Sequence, residues 1–391
     1  MNTMPALATP SAGPRHRLDP TAVRELTMPA MLAVIWVFFA LVSPQFLSAR
    51  NLSMLLIELS ITATLAVGIL LVLIPGHTDL SVGAGAGLLG GIASVLVFRF
   101  GWPAPAALLV SLIAGFLLYL GMGRFIVRYR IQAFIVTLGA MLAFRGGFWL
   151  VIRSVTTPVV RGGESNLYSL LTTYYLPPAA GLILAFLVMG VLAIVGFRGR
   201  QRRQSAGALV EPAELAFLKA FIGAQGILLV VLICNQYRGL PLSFLILCAV
   251  ALSIHVVTQH TPFGRYLYAI GGNEEAAVVS GIPTQRTVTT AFLILGGIVA
   301  VTGFMATAYS GASTTTVGDL MELDAIAACV IGGTSLKGGR GTVLGALFGA
   351  LIMASLLNGM TLLSVLPETK YIVRGLVLVF AVWMDVTFRR R

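Results

Sequence analysis

LSMLLIELSITATLAVGILLVLIP, residues 52–75, decides the fold of this chain. It carries a single charge, Glu58, over its whole length. A bilayer core about 30 Å thick is crossed by about 20 apolar residues, each rising about 1.5 Å in a helix, so this stretch is long enough to span. Working outward, eleven further apolar runs fall near 28–47, 81–98, 104–123, 133–152, 177–197, 216–235, 241–259, 288–310, 320–335, 341–362 and 371–387. The composition agrees. Of the 391 residues, 58% are apolar and 10% charged, with a mean hydropathy of +0.94. A soluble surface needs about 25% charged residues, which excludes a string of soluble domains. The expected fold is an all-α polytopic membrane protein of about 10–12 transmembrane helices.

The net charge of +12 invites a nucleic-acid reading, but basic residues of a polytopic protein collect in its cytoplasmic loops. Residues 1–27, with Pro5, Pro10, Pro14, Arg15, Arg17 and Arg24, read as an uncleaved cytoplasmic basic leader. Alternating from there places Arg124/Arg128/Arg130, Arg198/Arg200/Arg202/Arg203, Arg265/Arg286, Lys337/Arg340 and the tail Arg389/Arg390/Arg391 inside, seventeen of the 26 basic residues with the leader. Both termini are then cytoplasmic, and 28–388 forms one transmembrane domain. This requires 320–335 to cross, although it is short for a span. Cys234, Cys248 and Cys329 lie in apolar runs without metal or disulfide spacing, and no metal site is expected.

Gly76, Thr78, Leu80, Gly83, Gly85 and Leu88 recur 256 residues later as Gly332, Thr334, Leu336, Gly339, Gly341 and Leu344. A parallel internal repeat and chance recurrence among 43 glycines both account for this. Gly85, Gly87 and Gly90 match a dinucleotide fingerprint, which needs a preceding strand that two membrane runs do not supply. The four-residue spacing of Gly83, Gly87 and Gly91, and of Gly341, Gly345 and Gly349, instead reads as smooth helix faces for close packing in lipid. No phosphate-binding loop with a lysine occurs, so the chain carries no ATP site of that type and no cofactor is expected in it.

Ionisable residues near the centre of a spanning helix cost about 2.5–3.5 kcal/mol each and point to a protein interior or a wet cavity. Glu58, Arg145, Glu322, Asp324 and Arg374 all read as lying in the outer half of their runs. Two readings stand: the charges line an outward-facing vestibule for a polar solute, or they staple helices together as ion pairs. Lys219 sits near an inner end, where a lysine can snorkel.

The cytoplasmic segment 260–287 contains HTPFGRYLYAIGGNEEAAVVSGIPTQR, from His260 to Arg286. Asn273 can cap a helix whose positive end suits Glu274 and Glu275. Ala276, Ala277 and Ser280 continue it, Gly281 can close it, and Pro283 prevents continuation. Gly271 and Gly272 allow a sharp approach. One short rigid helix over 273–281, a docking knob, is the expectation.

At these residues the chain resembles the permease subunit of bacterial ABC importers for monosaccharides. YAIGGNEEAAVVSGI (Tyr268 to Ile282) and ELDAIAACVIGGTSLKGG (Glu322 to Gly339) carry the resemblance. DLSVG, with Asp79, Ser81 and Gly83, agrees, as do FIVTLGAMLAFRGG (Phe134 to Gly147) and YIVRGLVLVFAVWMD (Tyr371 to Asp385). The extra hairpin 177–235 and the strings MLAFRG and IMASLLNGM point to the xylose branch of that family. His77 and Thr78 depart from the Gly-Ile that more usually precedes DLSVG. The resemblance implies a pore of two copies of the chain in the inner membrane, surrounded by lipid. It implies a periplasmic sugar-binding protein and a cytoplasmic double-cassette ATPase, with 273–281, reached through Gly272, as the coupling helix. Rival readings are a proton-coupled sugar transporter using Glu58 or Asp324, and a permease of the same family for ribose or arabinose. A membrane-embedded enzyme has no visible constellation, since His16, His77, His255 and His260 are scattered.

Overall fold

The computed structural model describes residues 20–208 and 210–389. Its first five helices are α1 (Pro20–Val42), α2 (Ala49–Leu73), α3 (Val82–Phe98), α4 (Ala104–Tyr129) and α5 (Ala133–Ile152). An external excursion follows, with β1 (Thr157–Pro158), α6 (Leu167–Thr173) and β2 (Tyr175–Leu176). Next come α7 (Pro178–Ser205), α8 (Ala213–Asn235), β3 (Leu240–Pro241), α9 (Leu242–His260), α10 (Pro262–Gly272) and α11 (Glu274–Val279). The chain closes with α12 (Thr284–Ser310), β4 (Ala312–Ser313), α13 (Met321–Ile331), α14 (Val343–Leu362) and α15 (Pro367–Arg389). Among the described residues, eight helices are long and apolar enough to cross a membrane, and shorter apolar helices cover Met28–Val42 and Val82–Phe98. The chain is an all-α polytopic membrane protein. Helix α1 begins at Pro20, inside the segment read as leader; residues 1–19, Arg390 and Arg391 lie outside the described residues.

Two helices form the axis of the bundle. Helices α2 and α12 are buried along most of their length, whereas α7 and α8 are almost wholly exposed. Small residues let backbones close up around this axis: a side chain on Gly115 of α4 would strike the carbonyl of Gly296 on α12, and the reverse also holds. In lipid, where apolar burial gives no drive between helices, such close packing holds a bundle together. The extra hairpin α7–α8 packs on itself, with Gly181 facing Val231 and Asn235. At the turn between these two helices, Lys219 of α8 donates to Glu211 at 2.8 Å. Hydrogen bonding and charge from Lys219 hold the exposed Glu211 carboxyl below its usual range.

Two short strand pairs tie the connections between helices together. Thr157 pairs with Ser313 and Tyr175 with Pro241, both antiparallel. Helix α6 is seated by its buried Tyr168, whose hydroxyl donates to the Gly90 carbonyl of α3 at 2.9 Å. The segment 153–176 is therefore a packed cover over α3.

The run 320–335 is not a full helical crossing. Helix α13 has eleven residues, about 16 Å at 1.5 Å per residue. The outer part of the passage is made by non-helical chain from Gly311 to Leu320, with Gly318 and Leu320 at positive φ. The first turn of α13 abuts Gly83, which lies about 22 Å along α3 from its outer end at Phe98. Glu322 thus lies beside the first turn of α3, at the start of a short helix and not within a continuous span.

The duplicated segments differ in conformation. Gly83 and Gly85 are helical in α3, while Gly339 and Gly341 lie in the loop before α14.

Candidate functional site

The sequence 260–287 folds as two helices where one was expected. Thr261 caps α10, accepting from the Gly264 amide at 3.2 Å. Asn273 then interrupts the chain in an extended conformation and caps α11 by accepting from the Ala276 amide at 2.9 Å. Glu274 and Glu275 occupy the first turn of α11, Ala277 is buried beneath it, and Val278 and Val279 are exposed. Ser280 returns a hydrogen bond to the Ala276 carbonyl, and Gly281, at φ 79°, ends the helix. Helix α11 falls where the single helix was expected, and α10, capped by Thr261, is the additional one.

This pair of helices rests on a backbone joint. Gly271 lies so close to the end of α2 that a side chain there would overlap the Ile74 carbonyl and the Gly339 amide. The Gly339 amide donates to the Ile74 carbonyl at 2.8 Å, and the Tyr268 hydroxyl donates to the Gly341 carbonyl at 2.7 Å. Thus α10, the inner end of α2 and the loop after α13 meet at one point. Beside it opens a cavity of about 890 Å³, lined by His77, Arg130, Gln132, Glu274, Val278 and Gln285 among others. Burial pushes the His77 imidazole below its usual value, against the opposing charge of Glu274.

The loop that carries Asp79 closes the inner end of α3. The Asp79 carboxylate accepts from both the amide and the hydroxyl of Ser81 at 2.7 Å. The Ser81 hydroxyl reaches Tyr119 of α4 at 3.3 Å, and Thr137 of α5 accepts from the Leu80 amide at 3.3 Å. All of Asp79, Ser81, Tyr119 and Thr137 are buried, so this motif ties α3, α4 and α5 together.

The five intramembrane charges separate into three groups. Glu58 accepts from the Tyr309 hydroxyl at 2.9 Å and the Asn358 amide at 3.1 Å, and Asn358 accepts from Asn51 at 2.9 Å. This network joins α2, α12 and α14. Asp324 pairs with Arg374 of α15 at 3.2 Å, the aspartate side chain 7% exposed. Arg145 pairs instead with Asp319, in the non-helical segment before α13. Glu322, also buried, lines the same small recess as Arg145 and Asp319. Asp319, Tyr309 and Asn358 were not singled out from the sequence: Asp319 lies outside the apolar runs, and the other two carry no charge to mark them.

The spaced glycines are contact points, with one exception. Gly83 packs against Glu322 and the Gly318 carbonyl, Gly87 against the Val317 carbonyl, and Gly91 against Phe148. On α14, Gly345 faces the Gly332 carbonyl and Gly349 the Ala328 carbonyl of α13. Gly341 precedes the helix and belongs to the cytoplasmic loop, where it faces Leu70 and Thr334.

A polytopic bundle with an interrupted passage before α13 and a capped helix pair after α9 suits a transport permease. Discontinuous helices of this kind mark substrate passages in transporters, because irregular backbone at membrane depth must be buried or line a cavity. The family model described as branched-chain amino acid transport system / permease component matches residues 51–382, and the chain belongs to that family. It is 42% identical to the xylose transport system permease protein of Escherichia coli K12, over 98% of this chain and 97% of that one. A Haemophilus influenzae protein of the same description is 38% identical over 92% of this chain and 95% of its own. The ribose import permease protein of Escherichia coli K12 is 31% identical over 96% and 97%. No solved structure matches the chain.

Proposed function

We propose that this chain is the membrane-spanning permease subunit of an ATP-driven pentose importer that carries D-xylose across a bacterial inner membrane. Similarity along nearly the whole chain to permeases described as xylose transporters carries the reading, with the ribose permeases more distant. On this reading two copies form the pore and a periplasmic binding protein delivers the sugar from outside. A separate double-cassette ATPase hydrolyses ATP. Helix α11 is the coupling helix, presenting Glu274, Glu275, Val278 and Val279 to that motor. Movement of α11 passes through α10 to the Gly271 joint, and from there to α2 and to the loop that ends the broken passage at α13.

The reading is tested by reconstituting the chain in liposomes with its ATPase and a xylose-loaded binding protein. Labelled xylose should accumulate only with ATP inside and all three components present. Uptake should survive a protonophore; uptake that collapses with the proton gradient and ignores ATP contradicts it.

A further inference from the structure

We propose that Arg145, Asp319 and Glu322 form the polar constriction of the sugar pathway and hydrogen-bond the hydroxyls of the passing pentose. The inference rests on the reading of the chain as a sugar permease and assigns the step to particular side chains. Arg145 lies about 10 Å along α5 from its outer end, yet its side chain is 39% exposed and that of Asp319 25% exposed. An ion pair open to hydrocarbon is costly, and intramembrane charges face a protein interior or a watery cavity. One residue on, Gly146 opens on the neighbouring exposed face of α5, between Leu142 and Leu150, and an added side chain there would meet nothing within 4 Å. Opposite stands the non-helical segment that holds Asp319, backbone of a kind tolerated at this depth only when buried or lining a cavity.

Asp324 and Arg374, by contrast, face each other between two helices, and Glu58 is held by two neutral donors. Those groups brace. The Arg145 group closes a recess of about 10 Å³ lined by Ala84, Met141, Arg145, Phe148, Asp319 and Glu322, room for roughly one water. Passage of a sugar therefore requires Arg145 and Asp319 to part. Among the described residues no other side chain hydrogen-bonds Glu322, whose carboxylate accepts from its own backbone amide and has further acceptor capacity for a hydroxyl. A guanidinium with five donors beside two acceptor-only carboxylates matches a neutral solute with adjacent hydroxyls. Its net negative charge disfavours an anion. The start of α13 borders the recess, and the loop after α13 reaches the joint at Gly339, so the constriction and the joint lie on one continuous stretch of chain.

The test places Gly146→Cys in a chain whose three native cysteines are alanine, assembled with the ATPase and binding protein in liposomes. A membrane-impermeant, water-soluble thiol reagent should modify residue 146, and the rate should change at least three-fold on adding ATP and xylose-loaded binding protein. Reaction confined to a lipid-soluble maleimide, or none with the water-soluble reagent in any state, overturns the proposal. In the complex with native cysteines, Asp319→Asn and Arg145→Gln should each lower kcat/KM for xylose uptake at least ten-fold at unchanged membrane content. Either variant transporting at the wild-type rate also overturns it. Failure of the wild-type complex to transport xylose speaks against the functional reading; labelling at residue 146 reads water access independently of it.

Discussion

The amide of Gly339 donates to the carbonyl of Ile74 at 2.8 Å, joining the loop after α13 to the inner end of α2. Gly271 of α10 is wedged against both partners. The three elements share backbone contacts with no side chain between them. Packed cores and interfaces switch between discrete arrangements more readily than they deform, so a push on α10 reaches α2 and α13 together.

Gly271→Val should break this joint. Its β-carbon would lie within 2.5 Å of the Ile74 carbonyl and the Gly339 amide, and forced overpacking costs about 1–3 kcal/mol. The variant is expected in the membrane at close to normal amount, with ATP hydrolysis uncoupled from xylose uptake. Uptake at the wild-type rate removes the joint from the transmission path.

Asn273→Ala removes the acceptor that caps α11, a loss of about 0.5–2 kcal/mol for typical caps. On a helix of six residues that should fray the end that would meet the motor on the proposed function. Weaker binding of the ATPase by at least three-fold, measured by titration in detergent, is the expected result. Asn273→Asp keeps a cap and should retain binding.

The pair Asp324–Arg374 should be a brace. Removing one member of a buried pair costs about 3–5 kcal/mol, while replacing both by apolar residues is often neutral or stabilising. Asp324→Asn should lower the melting temperature in detergent, and the double variant Asp324→Leu, Arg374→Met should recover most of it. If the double variant folds normally and loses uptake entirely, the charges act on the solute and not on the helices.

Glu58→Gln should keep both the fold and uptake within about two-fold. Asn358 can still donate to the amide oxygen, while the Tyr309 hydroxyl can accept from the amide nitrogen, and a neutral partner loses only part of a net hydrogen-bond contribution of about 1.5–3 kcal/mol for a charged one. A proton-coupled carrier relying on Glu58 would lose transport outright, so uptake by this variant discriminates between the two drives.

Much of the fold is legible because it rests on length and polarity. The run 52–75 becomes α2, and 133–152 coincides with α5, since a bilayer demands a minimum apolar length that few other structures need. The break before α13 is harder to read. Its inner end carries the apolar string Ala325 to Ile331, which resembles any other span, and only the turn-forming Gly318 hints that the chain outside it is not helical. The second cap at Asn273 was visible, but Thr261 and Pro262 start a helix of their own, which the paired glycines 271 and 272 obscured. The charges were visible as exceptions in apolar runs, whereas their partners were not. Which carboxylate an arginine meets depends on helix packing across 174 residues between Arg145 and Asp319, and neither periodicity nor spacing encodes that.

Uptake of labelled xylose by the reconstituted complex, with ATP and a protonophore varied independently, is the most direct measurement. Accumulation that needs ATP, the binding protein and the ATPase, and that persists after the proton gradient is collapsed, is the expected result. Accumulation by this chain alone, driven by the gradient and indifferent to ATP, would show that it is a carrier in its own right and not the permease subunit of a motor-driven importer.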